Sequence, residues 1–544
     1  MGRNRRSTRK SGRIRIWRFD MTIYFCGQNF KYEIEGVCKL FFPLVRFTHA
    51  YDAPEAVEDS ADYVHTLRRR EETETLLRVT VQLDGNKTTR KACIPNAQER
   101  YDNECERVLC VLLYRILEGR IGVSPRWGIL TGVRPVNIIQ RERQAGKSDA
   151  EIATWLSEKY LVSAEKLKLA FLTADTQEPM LRSMKPQSFS LYVAIPFCVS
   201  RCSYCSFVSH AITTKKATDK VDDYVLLLCR EIEKAAEVAK DEGLTLDTIY
   251  IGGGTPTALS AEQLKAVTDA IGRCFDVRSA REYTIEAGRA DTITEEKLRV
   301  IKNAGATRIS INPQTFEDAV LQNIGRKHTA KQAEDSFLLA RREGFSLINM
   351  DFIAGLPGDT YEGFCRSIDK ALSLAPENIT VHTLSIKRSA DLFQEAAMRE
   401  YVRSDIAGRM TEYAQKALIE AGYRPYYLYR QKNTVGNLEN VGYARPLTES
   451  LYNIYIMDEI QTIIACGAGG VTKLVGLGKN PIERIFNYKH HFEYIDRFDE
   501  ILNRKDRIHE ICAEGRKQPR ECELAQRDDI VSPEGACKER GTGV

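Results

Sequence analysis

A chain of 544 residues is too long for one hydrophobic core and predicts two or three domains, at roughly 150 residues each. No apolar run approaches the roughly 18 residues that span a bilayer, so a soluble, cytoplasmic protein without a membrane span is expected. The 79 basic and 75 acidic residues leave a net charge of +4, too balanced for nucleic acid to be the main partner, although a locally basic pocket for a small anion stays open. Fifteen cysteines, spread from Cys26 to Cys537 behind no secretory signal, suit a reducing compartment in which they serve as core residues or ligands rather than as a disulfide framework.

The first eighteen residues hold eight Arg or Lys and no acid. Residues 1–20 therefore read as a basic arm or, because Met21 opens the strand-like "MTIYFCG", as an over-extended start; a transit peptide is the third alternative. Residues 21–120 form a small N-terminal α/β domain: strand-like patches are followed by a helical period at Val108, Leu109, Leu112, Leu113, Ile116 and Leu117. Residues 121–185 are expected to be a helical connector, with Pro135 near one helix start and a capping box at Ser148 and Glu151 before the next.

From residue 186 to 390 strand and helix alternate. The candidate strands are 191–195, 246–251, 283–286, 308–312, 348–353 and 379–384, with amphipathic stretches between them, one opened by a capping box at Ser260 and Gln263. That rhythm predicts a parallel sheet. An eight-unit barrel needs about 250 residues, so a partial (β/α)6 barrel is the simpler fit. Residues 391–500 are expected to cover the substrate, and the charged, Gly- and Pro-bearing stretch 501–544 to be a disordered tail.

Chemistry is expected at the carboxyl ends of the parallel strands. There, in "LYVAIPFCVSRCSYCSF", Cys198, Cys202 and Cys205 follow the first strand on a loop opened by Pro196. Three buried thiols, or a zinc site short of a ligand, are the plain alternatives. An iron-sulfur cube held by three cysteines fits better, because the fourth iron is left free for a ligand. "GGGTPT" after the second strand lacks the Lys of a phosphate-binding loop, and its glycines instead permit close backbone approach to a ligand. Glu286, Gln314 and Asp351 stand at or near later strand ends, facing the same mouth; a cap or an ion pair is the alternative for any one of them.

These motifs resemble the radical S-adenosylmethionine (SAM) enzymes. The order of the cysteine loop, GGGTPT, Glu286, Gln314 with Arg326 beyond it, and "DFIAGLPG" is similar to the oxygen-independent coproporphyrinogen III oxidase group. "RISINPQTF", "HTLSIKRSA", "YYLYRQKNTVGNLENVGY" and "GILTGVRP" look like its coproporphyrinogen dehydrogenase subgroup, HemZ. The resemblance implies one [4Fe-4S] cluster on Cys198, Cys202 and Cys205, and SAM bound by Tyr192, Gly252, Gly253, Gly254, Thr255, Glu286, Gln314, Arg326 and Asp351, with Tyr204 beside the cluster. It implies oxidative decarboxylation of coproporphyrinogen III to protoporphyrinogen IX, with an unidentified electron donor as partner. The substrate's propionates call for cations, and Lys387, Arg388, Arg430 and Lys432 are the candidates, with solvated loop charge as the alternative for each.

Two positions depart from the best-known decarboxylases of the group. Phe207 stands where they carry a further cysteine, and Ala194 replaces a histidine in the first strand. The Phe207 form is closer to related haem carriers, so a haem-binding chaperone is the alternative function. His210 and His382 are the histidines expected near the mouth for such a role.

Overall fold

The computed structural model describes residues 20–517 apart from 44, 58, 60, 132–133, 206, 208, 213–214, 386–405 and 432–433. The described chain divides into two compact units. The first comprises residues 20–131 with Ser157–Val162; the second is the remainder.

In the first unit, β1 (Asp20–Cys26), β2 (Arg46–Ala50), β3 (Tyr63–Arg70), β4 (Glu74–Leu83) and β5 (Asn86–Pro95) form a sheet in the order β2-β1-β3-β4-β5. β1 runs parallel to β2 and β3, and β3 to β5 are antiparallel neighbours. Helices α1 (Lys31–Phe41) and α2 (Tyr101–Ile121) share its core, where Ile34, Val37, Leu109, Leu113 and Leu117 meet Ile23, Phe25, Leu77, Val79 and Val81. Alternate residues of β4 are buried, the pattern of a sheet with one covered face.

The second unit opens with α3 (Pro135–Gln144), most of α4 (Asp149–Tyr160) and α5 (Ala164–Arg182). The capping box before α4 forms, with the Ser148 N–H donating to Glu151 at 2.8 Å. Six parallel strands follow in sequence order: β6 (Ser188–Ile195), β7 (Thr245–Gly253), β8 (Glu282–Glu286), β9 (Arg308–Ser310), β10 (Leu347–Ala354) and β11 (Asn378–Thr383). The helices between them include α6 (Lys215–Asp241), α7 (Ala261–Cys274), α8 (Glu295–Asn303), α9 (Asp318–Asn323), α10 (Ala330–Arg342) and α11 (Tyr361–Leu374). β6 is buried along almost its whole length, as a strand covered on both faces must be. This is the partial (β/α)6 barrel read from the sequence.

The described part of the region beyond residue 390 extends the sheet at both edges. β12 (Arg424–Arg430) and β13 (Glu439–Ala444) continue the β11 edge antiparallel, while β14 (Thr462–Cys466) lies parallel to β6 and is followed by β15 (Val471–Val475) and β16 (Ile482–Phe486). The sheet thus has eleven strands, in the order β12-β13-β11-β10-β9-β8-β7-β6-β14-β15-β16. Helices α12 (Ile406–Glu420), α13 (Leu451–Asp458), α14 (His491–Asp496) and α15 (Phe498–Arg516) complete the unit.

The last helix corrects the reading of 501–544 as tail. Phe498, Ile501, Lys505, Ile508 and Cys512 are its buried stripe, and the Lys505 ammonium is neutralised by Glu231 at 2.7 Å. Residues 518–544, with Cys522 and Cys537, lie outside the described residues. Among the described residues no helix is long and apolar enough to cross a membrane.

Candidate active site at the strand carboxyl ends

The cysteine loop leaves β6 at Pro196 and is tied down at several points. Phe197–Cys198 pairs in parallel with His210–Ala211, and the His210 N–H donates to Pro196 O at 2.8 Å. The Ser203 N–H donates to Ile324 O at 3.1 Å, fixing the middle of the loop. Cys202 is buried; Cys198 and Cys205 are half-buried. Burial pushes the Cys205 thiol up, and the neighbouring Cys202 and Cys198 add to the effect. Among the described residues no three His, Cys, Asp or Glu side chains converge as ligands of a single metal ion would. A cube does not ask for that convergence, because each cysteine binds a different iron.

The glycine run explains itself once its neighbours are seen. The Gly254 N–H donates to Ile195 O at 2.7 Å and the Thr255 N–H to Phe197 O at 2.8 Å, so GGGT docks against the start of the cysteine loop. A Cβ on Gly254 would stand 2.5 Å from Phe197 O and 3.1 Å from Cys198 Sγ. Gly253 has φ +118°, where side chains are disfavoured. Thr255 Oγ1 lies 3.4 Å from Cys198 Sγ. The run is thus a close-packed backbone wall beside the first cysteine.

Further along the sheet, polar groups from successive strand ends stand near one another. Tyr192 and Tyr250 are partners on β6 and β7, and the Tyr250 hydroxyl donates to Glu286 Oε1 at 2.6 Å. Burial, reinforced by Asp351, raises the Glu286 carboxyl to about 7 against the pull of the Tyr250 hydroxyl and the Gly253 N–H. Asp351 behaves oppositely: burial alone would raise it, but His382, at 3.8 Å, with Asn349 and Thr380, holds it below its ordinary value. Two half-buried carboxyls of one mouth thus shift to opposite sides of their normal range, an arrangement characteristic of functional sites.

Gln314 is held in a strained conformation, φ +70°, with its N–H donating to Asp351 O at 2.9 Å and its carbonyl accepting from the Ile353 N–H at 3.1 Å. Such backbone strain costs of order 1–3 kcal/mol and concentrates at functional sites. Its side-chain oxygen is buried with no hydrogen-bond partner among the described residues. A polar ligand in the mouth would satisfy it. Arg326 is buried, donating to Gly288 O at 3.1 Å, Asn312 O at 2.8 Å and the Tyr204 hydroxyl at 3.1 Å. It therefore braces the cysteine loop through Tyr204, which packs beside Val320, Leu321 and Ile324.

The substrate-side candidates fare differently. Lys387, Arg388 and Lys432 lie outside the described residues. Arg430 is buried rather than solvated: its Nη2 donates to Asn437 O at 3.3 Å, and burial lowers its pKa to about 10 against the pull of Glu439. Tyr426 and Tyr427, near it on β12, are core residues beside Ala444 and Tyr455. At the departure from the group pattern, Phe207 is 71% exposed while Ala194 is buried.

Several residues of the site were not found in the sequence. Tyr452 on α13 stacks on Tyr250, ring centroids 4.4 Å apart, and so backs Glu286. Arg289 and Asp291, just after β8, reach under the cysteine loop. His490 and His491 join His210 beside it, the His210 and His491 rings 4.3 Å apart. Proximity in sequence signalled only the Arg-x-Asp pair, three residues beyond Glu286; the other groups arrive from the C-terminal region.

A profile of the Radical SAM superfamily matches residues 192–371, the span that carries every one of these motifs from Tyr192 to Asp351. The chain is 39% identical over 406 residues to "Oxygen-independent coproporphyrinogen-III oxidase-like protein HemZ" of Bacillus subtilis, covering 74% of this chain and 80% of that protein. It is 42% identical over 199 residues to "Heme chaperone HemW" of the same organism, covering 36% and 51% respectively. Among solved structures, the coproporphyrinogen III oxidase HemN of Escherichia coli aligns with a TM-score of 0.46 at 22% identity, over 61% of this chain and 72% of that one. The chain belongs to the radical SAM superfamily, whose members use a [4Fe-4S] cluster and SAM. Within it the chain is a member of the oxygen-independent coproporphyrinogen III oxidase group, on the HemZ side.

Proposed function

We propose that the protein catalyses the oxidative decarboxylation of coproporphyrinogen III to protoporphyrinogen IX. The observation that carries this is the joint presence, in one mouth, of the three-cysteine loop, the close-packed GGGT wall, the buried Gln314 and the half-buried Glu286 and Asp351, in a chain 39% identical to a HemZ protein. Cys198, Cys202 and Cys205 would hold the cluster; the GGGT wall, Tyr192, Glu286, Gln314 and Asp351 would hold SAM, with Arg326 and Tyr204 bracing the loop between them. When bound, the pair supplies a one-electron route to a hydrogen-abstracting species. For each propionate the balance is loss of one hydrogen atom to that species, release of carbon dioxide, and transfer of one electron to an acceptor, leaving a vinyl group.

The residues contribute binding and exclusion of water. Gln314 presents an unsatisfied acceptor to a ligand donor, and Glu286 accepts better once ionised, above about pH 7. Buried walls around both raise the strength of these contacts over their value in water.

A haem-carrier reading is favoured by a specific pair of observations. Phe207 occupies the position of the further cysteine, and His210, His490 and His491 cluster next to the cysteine loop, with His210 Nε2, His490 Nδ1 and His491 Nδ1 lacking a hydrogen-bond partner among the described residues. Anaerobic incubation of reconstituted protein with reductant, SAM and coproporphyrinogen III separates the two. Mass spectrometry should show loss of two carboxyl groups; stoichiometric haem capture with unchanged porphyrinogen would replace the enzyme by the carrier.

A further inference from the structure

Arg289 lies under the cysteine loop and is 2% exposed. Its Nη1 donates to Ser200 O at 3.1 Å and points at Cys202 Sγ at 3.8 Å, within reach of an N–H···S hydrogen bond. Its other edge is locked: Nε and Nη2 donate to the two oxygens of Asp291 at 3.0 and 2.9 Å. The Asp291 carboxyl is held well below its ordinary range, because His328 and Arg289 outweigh the cost of burial. A short segment after β8, residues 289–291, thus carries a charged fork that touches a cysteine sulfur and a carboxylate that orients the fork.

Hydrogen bonds and positive charge at a cluster's sulfurs favour the form with the extra electron, and burial keeps the charge from being screened. A guanidinium bonded to a thiolate can do both at once.

We propose that Arg289 is a positioning residue that sets the reduction potential of the cluster through Cys202, and that Asp291 is the counter-charge that limits its effect. The inference rests on the assignment of Cys202 as a cluster ligand. Neither residue is asked to touch SAM or substrate.

The experiment is an anaerobic redox titration of reconstituted protein, read by electron paramagnetic resonance, with iron counted per chain. Arg289→Gln removes the charge and keeps an N–H donor. It should lower the ratio of reduced to oxidised cluster at a fixed potential about tenfold, a shift of about 59 mV to more negative values for one electron. Arg289→Lys should recover part of that shift. Asp291→Asn frees the guanidinium from its counter-charge and should move the midpoint the opposite way. A scaffold role alone predicts that Arg289→Gln and Asp291→Asn move the midpoint in the same direction or not at all, and either result overturns the proposal. If none of the three variants takes up iron while the parent does, the pair serves loop folding and the proposal likewise falls. If the parent takes up no cluster, it is the cofactor assignment that fails instead.

Discussion

Gly254→Ala is the perturbation whose cost the structure defines most directly. The new Cβ would stand 2.5 Å from Phe197 O, and ordinary contact begins at 3.4 Å, so about 0.9 Å must open. The obstacle is backbone, and both chains are pinned: Gly254 donates to Ile195 O and Thr255 to Phe197 O. Relief therefore means breaking one or both of those bonds, worth about 1 kcal/mol each, on top of an overpacking strain of about 1–3 kcal/mol. The displaced atoms are those that carry Cys198, and a shift of about 1 Å at a constellation of this kind is enough to disable it. We expect a folded protein, about 2–5 kcal/mol less stable in urea, that takes up less than half the parent's iron on anaerobic reconstitution. Full iron uptake with an unchanged urea midpoint would show that the GGGT wall does not fix the first cysteine.

Further outcomes follow from the structure. Alanine at Cys198, Cys202 or Cys205 should abolish the brown chromophore and the iron count, whereas alanine at Cys229 or Cys365, which lie on α6 and α11, should leave both; equal loss from both sets refutes the ligand assignment. Affinity for S-adenosylhomocysteine, measured by calorimetry, should rise with pH through about 7 as Glu286 ionises, and Tyr250→Phe should push that step upward by removing a hydrogen bond that favours the carboxylate. The linked stability runs the other way: with its folded value above the ordinary 4.5, Glu286 binds its proton more tightly when folded, so its contribution is present below about pH 4.5 and lost as pH rises through about 7. Lys166 and Glu439 form an ion pair at 2.5 Å, each about 1–2% exposed, so Lys166→Met alone should cost about 3–5 kcal/mol in urea, and adding Glu439→Leu should recover much of it.

The six parallel strands were legible from their alternation with amphipathic helices and from short β-branched and apolar stretches such as "YVAI" in β6 and "TIYI" in β7, the mark of strands covered on both faces. The cysteines, GGGT, Glu286, Gln314 and Asp351 were legible because strand ends are where such groups matter. Arg430 was not: a cation among tyrosines reads the same whether it points outward or, as here, is buried against Asn437. The last helix was hidden by its charges, although Phe498, Ile501, Lys505, Ile508 and Cys512 keep helical spacing. Tyr452 and the histidines His490 and His491 could not be found at all from local pattern, since only the added strands β14 to β16 and the helices around them bring them to the mouth.

Under the proposed function this mouth couples radical chemistry to propionate loss. Its most direct test is a single-turnover experiment in which 5′-deoxyadenosine and released carbon dioxide are counted together, with and without coproporphyrinogen III. Substrate-dependent deoxyadenosine in fixed proportion to carbon dioxide, and vinyl groups in the porphyrin product, are the expected result. Deoxyadenosine formed equally without substrate, or with no carbon dioxide released, would contradict it.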